Sequence, residues 1–152
     1  MNASIAIKTI MSPVVITAAP DETIQSVKER LLKHGFHHLP VVLQGKVLGM
    51  ISQGDINKME HHFTLFHNQE AEKSNRQIFN TILAKEIMST PVIQINADEP
   101  ISKAVDLFLA NIIHAWPVVN EQRELRGMIT PVDLLRFAYH SNVDRVHKII
   151  PI

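Results

Sequence analysis

The sequence predicts an α+β fold of mixed strands and helices, in which one strand–helix–strand–strand–helix unit (βαββα) occurs twice. Two repeated patterns carry that expectation. Ile10-Met11-Ser12, Asp21-Glu22-Thr23-Ile24 and Pro40-Val41-Val42 return as Ile87-Met88-Ser89, Asp98-Glu99-Pro100-Ile101 and Pro117-Val118-Val119, each 77 residues later. Gly49-Met50-Ile51-Ser52-Gln53-Gly54-Asp55 returns as Gly127-Met128-Ile129-Thr130-Pro131-Val132-Asp133 at an offset of 78, the extra residue falling where Gln44-Gly45-Lys46 faces the longer Glu121-Gln122-Arg123-Glu124. A third observation is that β-branched runs and helical periodicity follow one another in the same order in both copies.

Taken in order, Val14-Val15-Ile16-Thr17 and Val92-Ile93-Gln94-Ile95 read as short strands, each leading to an Asp-Glu pair that precedes a helix. The first helix is expected from about Thr23 to His34, with Ile24, Val27 and Leu31 on one face, Leu32 at its margin and Gly35 as the stop. Its counterpart places Ile101, Ala104, Val105, Phe108 and Leu109 likewise. Residues 39–43 and 47–51 then form a hairpin around Gly45, and a second helix starts near Asp55 and again near Asp133. Each half is too small to bury much core alone, so two halves should associate.

The connection over residues 58–83 is longer than a simple link requires. The second helix should run on through Met59, another should occupy about Asn75 to Ala84, and the polar centre, residues 68–77, reads as a mobile loop. Leu134 to Tyr139 is helical in pattern, and the end carries an apolar Ile149-Ile150-Pro151-Ile152 tail. The expected organisation is thus 8–60 and 84–140 for the two domains, 61–83 for the linker and 141–152 for the tail.

Composition narrows the function classes. The chain has 152 residues, 45% hydrophobic and 20% charged, with Lys+Arg 15 balancing Asp+Glu 15. A neutral chain without a basic block argues against nucleic acid as a partner. The absence of cysteine removes disulfides, thiolate metal sites and cysteine nucleophiles. No apolar run approaches membrane-spanning length and the N-terminus lacks a signal-peptide pattern, so no membrane association and a cytoplasmic location are expected.

The chemistry lies at the two glycine-to-aspartate corners. A strand end that passes into a helix carries unpaired N–H groups, and here it adds a hydroxyl at Ser52 or Thr130 and a carboxylate at Asp55 or Asp133. Such a corner suits a phosphorylated sugar: hydroxyl and N–H groups for phosphate oxygens, the carboxylate for vicinal ribose hydroxyls. The plain alternative is that each pair only caps its helix. Pro131 fills a first-turn position that tolerates proline, at the loss of one N–H donor, so the corners need not be equivalent.

The set of five motifs in two registered copies resembles the cystathionine β-synthase (CBS) domain, and the tandem pair is similar to a Bateman module, over roughly Lys8 to Tyr139. The resemblance implies two βαββα units packed about a pseudo-twofold axis, clefts between them that take adenosine nucleotides or related ligands, and a homodimer. It puts the ribose-binding carboxylate on Asp55 and Asp133 and the phosphate-side hydroxyl on Ser52 and Thr130. It lines the adenine slot with Val15, Ile16, Phe36, His37 and His38, and with Val92, Ile93, Ile113, His114 and Ala115, flanked by Met50 and Met128. His37 and His114 could donate to a phosphate or simply satisfy strand-edge carbonyls, and the sequence leaves both open.

The resemblance implies no catalytic residue and no obligatory cofactor, with AMP, ADP, ATP or S-adenosylmethionine as a regulatory ligand. A module of this kind would act on a separate, unidentified effector protein. An enzyme is disfavoured, since no nucleophile–base pair, phosphate loop or paired metal-ligand helix occurs. The remaining readings are a divalent-metal sensor built on His61, His62 and His67, and an assembly dimer that responds to no small molecule. His34 and His38 have helical i, i+4 spacing, but Gly35 should break the helix between them.

Overall fold

A computed structural model describes residues 4–63, 69–110 and 114–139, the side chains of 62–63 and 69–72 excepted. It divides into two compact units. One takes Ile16–Val92 and holds Asp55; the other, among the described residues, takes 4–15 together with 93–110 and 114–139, and holds Asp133.

In the Asp55 unit, Thr23 caps helix α1 (Ile24–His34) by accepting from the Ser26 N–H at 3.3 Å. The buried face is Ile24, Val27 and Leu31, whereas Leu32 points to solvent. Gly35 ends the helix with φ 63, and the Phe36 N–H donates back to the Leu31 carbonyl at 3.0 Å. Strands β1 (His38–Leu43) and β2 (Lys46–Ser52) pair antiparallel. The turn between them uses left-handed conformations at Gln44 and Gly45, as a two-residue hairpin requires.

Helix α2 (Gln53–Phe63) follows β2 without a break. The polar centre, residues 68–77, reads in sequence as a loop beside a helix over about 75–84, yet the helix, α3, runs Gln69–Phe79. Phe79 is buried with Ile24, Val27 and Leu31, and Asn75 is buried as well. Burial of one helical face outweighs the polar composition that suggested a loop. The short helix α4 (Ala84–Ile87) closes the insert, held by Ile24 N–H to the Ile82 carbonyl (2.9 Å) and Ala84 N–H to the Glu22 carbonyl (2.8 Å).

The Asp133 unit starts with a 3₁₀ turn, Ile7–Thr9, whose Ile7 is fully buried. Strand β3 (Ile95–Asn96) lies parallel to β4 (Trp116–Val119), which pairs antiparallel with β5 (Leu125–Ile129). Helix α5 (Ile101–Ala110) buries Ile101 and Ala104, and Phe108 packs against Trp116; Leu109, expected on that face, is 82% exposed. Helix α6 (Pro131–Tyr139) begins at the proline. The apolar tail, Ile149 to Ile152, lies outside the described residues.

The expected first strands are largely absent. Val14 to Thr17 makes no strand and Val92 to Gln94 stays irregular; only Ile95–Asn96 and an isolated Ala18–Val41 bridge pair with a hairpin. Both segments straddle a crossing from one unit to the other, at residues 15–16 and 92–93. Neither can therefore pair along its length with one hairpin.

The same crossings bring each Ile-Met-Ser segment to the hairpin of the other repeat. Ser12 and Met128 exchange two backbone hydrogen bonds of 2.9 Å, and Ser89 and Met50 exchange bonds of 2.8 and 3.1 Å. A Cβ at Gly127 would stand 2.8 Å from the Ser12 carbonyl oxygen, so only glycine admits the segment there.

Candidate functional site

Each corner is built by a strand that ends in a hydroxyl residue and a helix that starts at the next position. Ser52 closes β2 and is the N-cap of α2, which makes Asp55 its third helical residue. The Asp55 Oδ2 accepts from the Ser52 N–H at 2.9 Å and from the Ser52 hydroxyl at 2.6 Å, while the Asp55 N–H donates to Ser52 Oγ at 3.1 Å. The second corner repeats this arrangement: Asp133 Oδ2 accepts from the Thr130 N–H (2.8 Å) and hydroxyl (2.7 Å), and the Asp133 N–H reaches Thr130 Oγ1 at 3.3 Å. The plain capping role is thus present in both copies.

Capping uses one oxygen of each carboxylate. Asp55 Oδ1 accepts from no described group and the residue is half-buried, whereas Asp133 is 6% exposed and its Oδ1 faces Ser12 Oγ and Arg136 Nη1, each at 3.4 Å. Around Asp55, His38 stands opposite Ser52 in the hairpin register, the Gln53 N–H donates to the His37 carbonyl at 2.9 Å, and His37 Nδ1 lies 3.2 Å from Gln53 Oε1. His37 therefore faces a helix-initiating side chain at the exposed rim of the corner. Phe36 is half-buried and stacks on His34, ring centroids 5.6 Å apart.

The structure brings Phe36, His37, His38, Met50, Ser52 and Asp55 into one unit, with Ile16 and Val92 at its two ends. Met128, Thr130, Asp133, His114 and Ala115 belong to the other, together with Val15 and Ile93. Val15 and Val92 each fall in the unit that holds the opposite repeat's corner. Met50 and Ala115 are buried, Ile93 and His114 exposed, and Ile113 lies outside the described residues. Three residues near the carboxylates went unnoticed in sequence: Ser12, Gln53 and Arg136. The repeat displayed Ser12, but nothing local tells that it meets Asp133, 121 positions away.

Among the described residues no group of three His, Asp or Glu side chains stands close enough to hold a metal ion. Gly35 ends α1 between His34 and His38, and His67 lies outside the described residues. No helix among the described residues is long and apolar enough to cross a membrane.

Two strand-to-helix corners, each with a hydroxyl and a carboxylate joined by mutual hydrogen bonds, stand on the two copies of a duplicated α+β unit. The CBS domain model matches residues 7–61 and 84–140, and the chain belongs to the CBS domain family as a domain pair. It is 30% identical over 123 residues to the uncharacterized protein MJ1225 of Methanocaldococcus jannaschii, covering 81% of this chain and 43% of that protein. It is also 30% identical over 131 residues to the L-aspartate semialdehyde sulfurtransferase of the same organism, covering 86% of this chain and 22% of the enzyme. The chain thus spans less than half the length of either relative. Among solved structures, MJ1225 superimposes with a TM-score of 0.77 at 27% identity, covering 91% of this chain and 49% of that one. The CBS domain pair of protein MJ0100, in complex with 5′-methylthioadenosine and S-adenosyl-L-methionine, gives a TM-score of 0.67 at 27% identity, covering 91% and 98%.

Proposed function

We propose that this CBS pair is a regulatory module that binds an adenosine-type ligand, a nucleotide such as AMP, ADP or ATP or an S-adenosyl compound, and is not itself an enzyme. The observation that supports it is the duplicated corner: two carboxylates placed at helix starts, each beside a hydroxyl and N–H donors. The carboxylate accepts ribose hydroxyls, and the helix start attracts phosphate or carboxylate oxygens. The likeness to the MJ0100 pair, solved with two adenosine compounds, adds support for this ligand class.

The regulatory part of the reading draws on segment length. The chain matches only 22% of a sulfurtransferase, so the shared segment is a minor part of that enzyme. A recurring segment of this kind serves by changing state with its ligand, in a homodimer and on an effector protein in the cytoplasm. Binding can shift such a state only by its differential affinity for the two forms.

The test is the thermal midpoint of the full chain with AMP, ATP and S-adenosylmethionine, beside Asp55→Ala and Asp133→Ala. A ligand of the native state raises the midpoint with concentration, by about 2.7 kcal/mol of stability at a hundredfold excess over Kd. A shift lost in an aspartate variant supports the reading. No shift with any of the three, in a folded protein, rejects it.

A further inference from the structure

We propose that the two corners take their ligands unequally, the Asp55 corner first, because Ser12 of the N-terminal segment covers the carboxylate of the second corner and sets its affinity. This rests on the reading that the corners hold an adenosine-type ligand. The duplication supplies an internal comparison, since a strand end, a hydroxyl, a helix start and a carboxylate recur in both units, while Pro131 stands where the first corner has Gln53 and the groups around the carboxylate differ. At Asp133, Oδ1 faces Ser12 Oγ and Arg136 Nη1, both at 3.4 Å, and the residue is 6% exposed. At Asp55, Oδ1 accepts from no described group. Ser89, the counterpart of Ser12, keeps the backbone pairing with Met50 but its side chain is exposed and gives no bond to Asp55. Lys58, the counterpart of Arg136, is exposed and forms no ion pair with Asp55.

A vicinal diol donates to whatever acceptor sites a carboxylate has left, and capping already fills Oδ2 with two bonds in each copy, which leaves Oδ1 for the ligand. Asp55 offers Oδ1 directly. At Asp133 the diol must first displace the Ser12 hydroxyl and compete with the Arg136 guanidinium. Ser12 remains at the carboxylate because two 2.9 Å backbone bonds to Met128 hold its segment on β5. Its 3.4 Å hydroxyl contact is longer than a strong O–H···O bond, so it weakens binding at that corner without abolishing it.

Calorimetric titration of the full chain with S-adenosyl-L-methionine, and separately with AMP, tests this. Two steps are expected, the tighter removed by Asp55→Asn and the weaker by Asp133→Asn. Ser12→Ala should tighten the weaker step about fivefold, the worth of one hydrogen bond, and leave the tighter one unchanged. Arg136→Gln should act in the same direction, and Ser89→Ala should alter neither step. A single step lost in Asp55→Asn, with a second appearing in Ser12→Ala, also supports the proposal. Equal steps, a single step that depends on Asp133, or a folded Ser12→Ala that binds as wild type overturns it while the ligand reading stands. No binding of either probe to wild type or Ser12→Ala overturns both.

Discussion

The Sδ atom of Met88 lies 2.4 Å from the place a Cβ on Gly49 would take, and Met11 Sδ lies 2.7 Å from the equivalent place on Gly127. Each glycine is thus the seat of a methionine that belongs to the other repeat. A Cβ on Gly127 would also stand 2.8 Å from the Ser12 carbonyl oxygen, a backbone atom that cannot swing aside. Gly49→Ala and Gly127→Ala should each destabilise the protein by roughly 1–3 kcal/mol, with the larger cost at Gly127. Urea denaturation of the two variants measures this, and equal stability with wild type at Gly127 would refute the close seating.

The corner hydroxyls cap their helices. Ser52→Ala and Thr130→Ala each remove a donor to the aspartate and an acceptor for its N–H. Each should cost about 1 kcal/mol of unfolding free energy without ligand. Chemical denaturation should show an unchanged m-value, as the exposed surface on unfolding stays the same.

Glu22 joins the head of α1 to its middle. Burial raises its pKa, but the Arg30 hydrogen bond, the Ala19 N–H, the Arg30 charge and the Ser26 hydroxyl outweigh this and lower it from the ordinary 4.5. With the folded value below the unfolded one, the stabilisation is fully present above 4.5 and is lost as pH falls through the folded value. Glu22→Gln should therefore be less stable than wild type at pH 7, and the gap should narrow only on acidification below about 4.5, read from denaturation curves at stepped pH.

Phe79 anchors the insert helix. It is 1% exposed within the core that includes Ile24, Val27 and Leu31. Phe79→Ala should cost about 3–5 kcal/mol and release amide protection along α3, as hydrogen exchange would record. An α3 that kept its protection in this variant would mean that the Arg76–Glu29 pair and the links near Ile82 hold it instead.

Local signals made much of this protein legible in its sequence. The repeat, both hairpins, the Gly35 stop, the start of the second helix in each copy and the Ser/Thr-x-x-Asp corners all follow from periodicity, turn residues and capping. The repeat shows as two matching copies, and the other features each depend on residues a few positions apart, so adjacent letters carry the physics. The tertiary structure alone decided which hairpin each Ile-Met-Ser segment joins, that the polar insert is helical, and that Ser12 meets Asp133 while Ser89 leaves Asp55 open. Those outcomes depend on bridges between residues far apart in the chain and on which face of α3 finds a core. Neither the partner of a strand edge nor the cover over a carboxylate is written in the segment itself. Both depend on where the chain crosses between units.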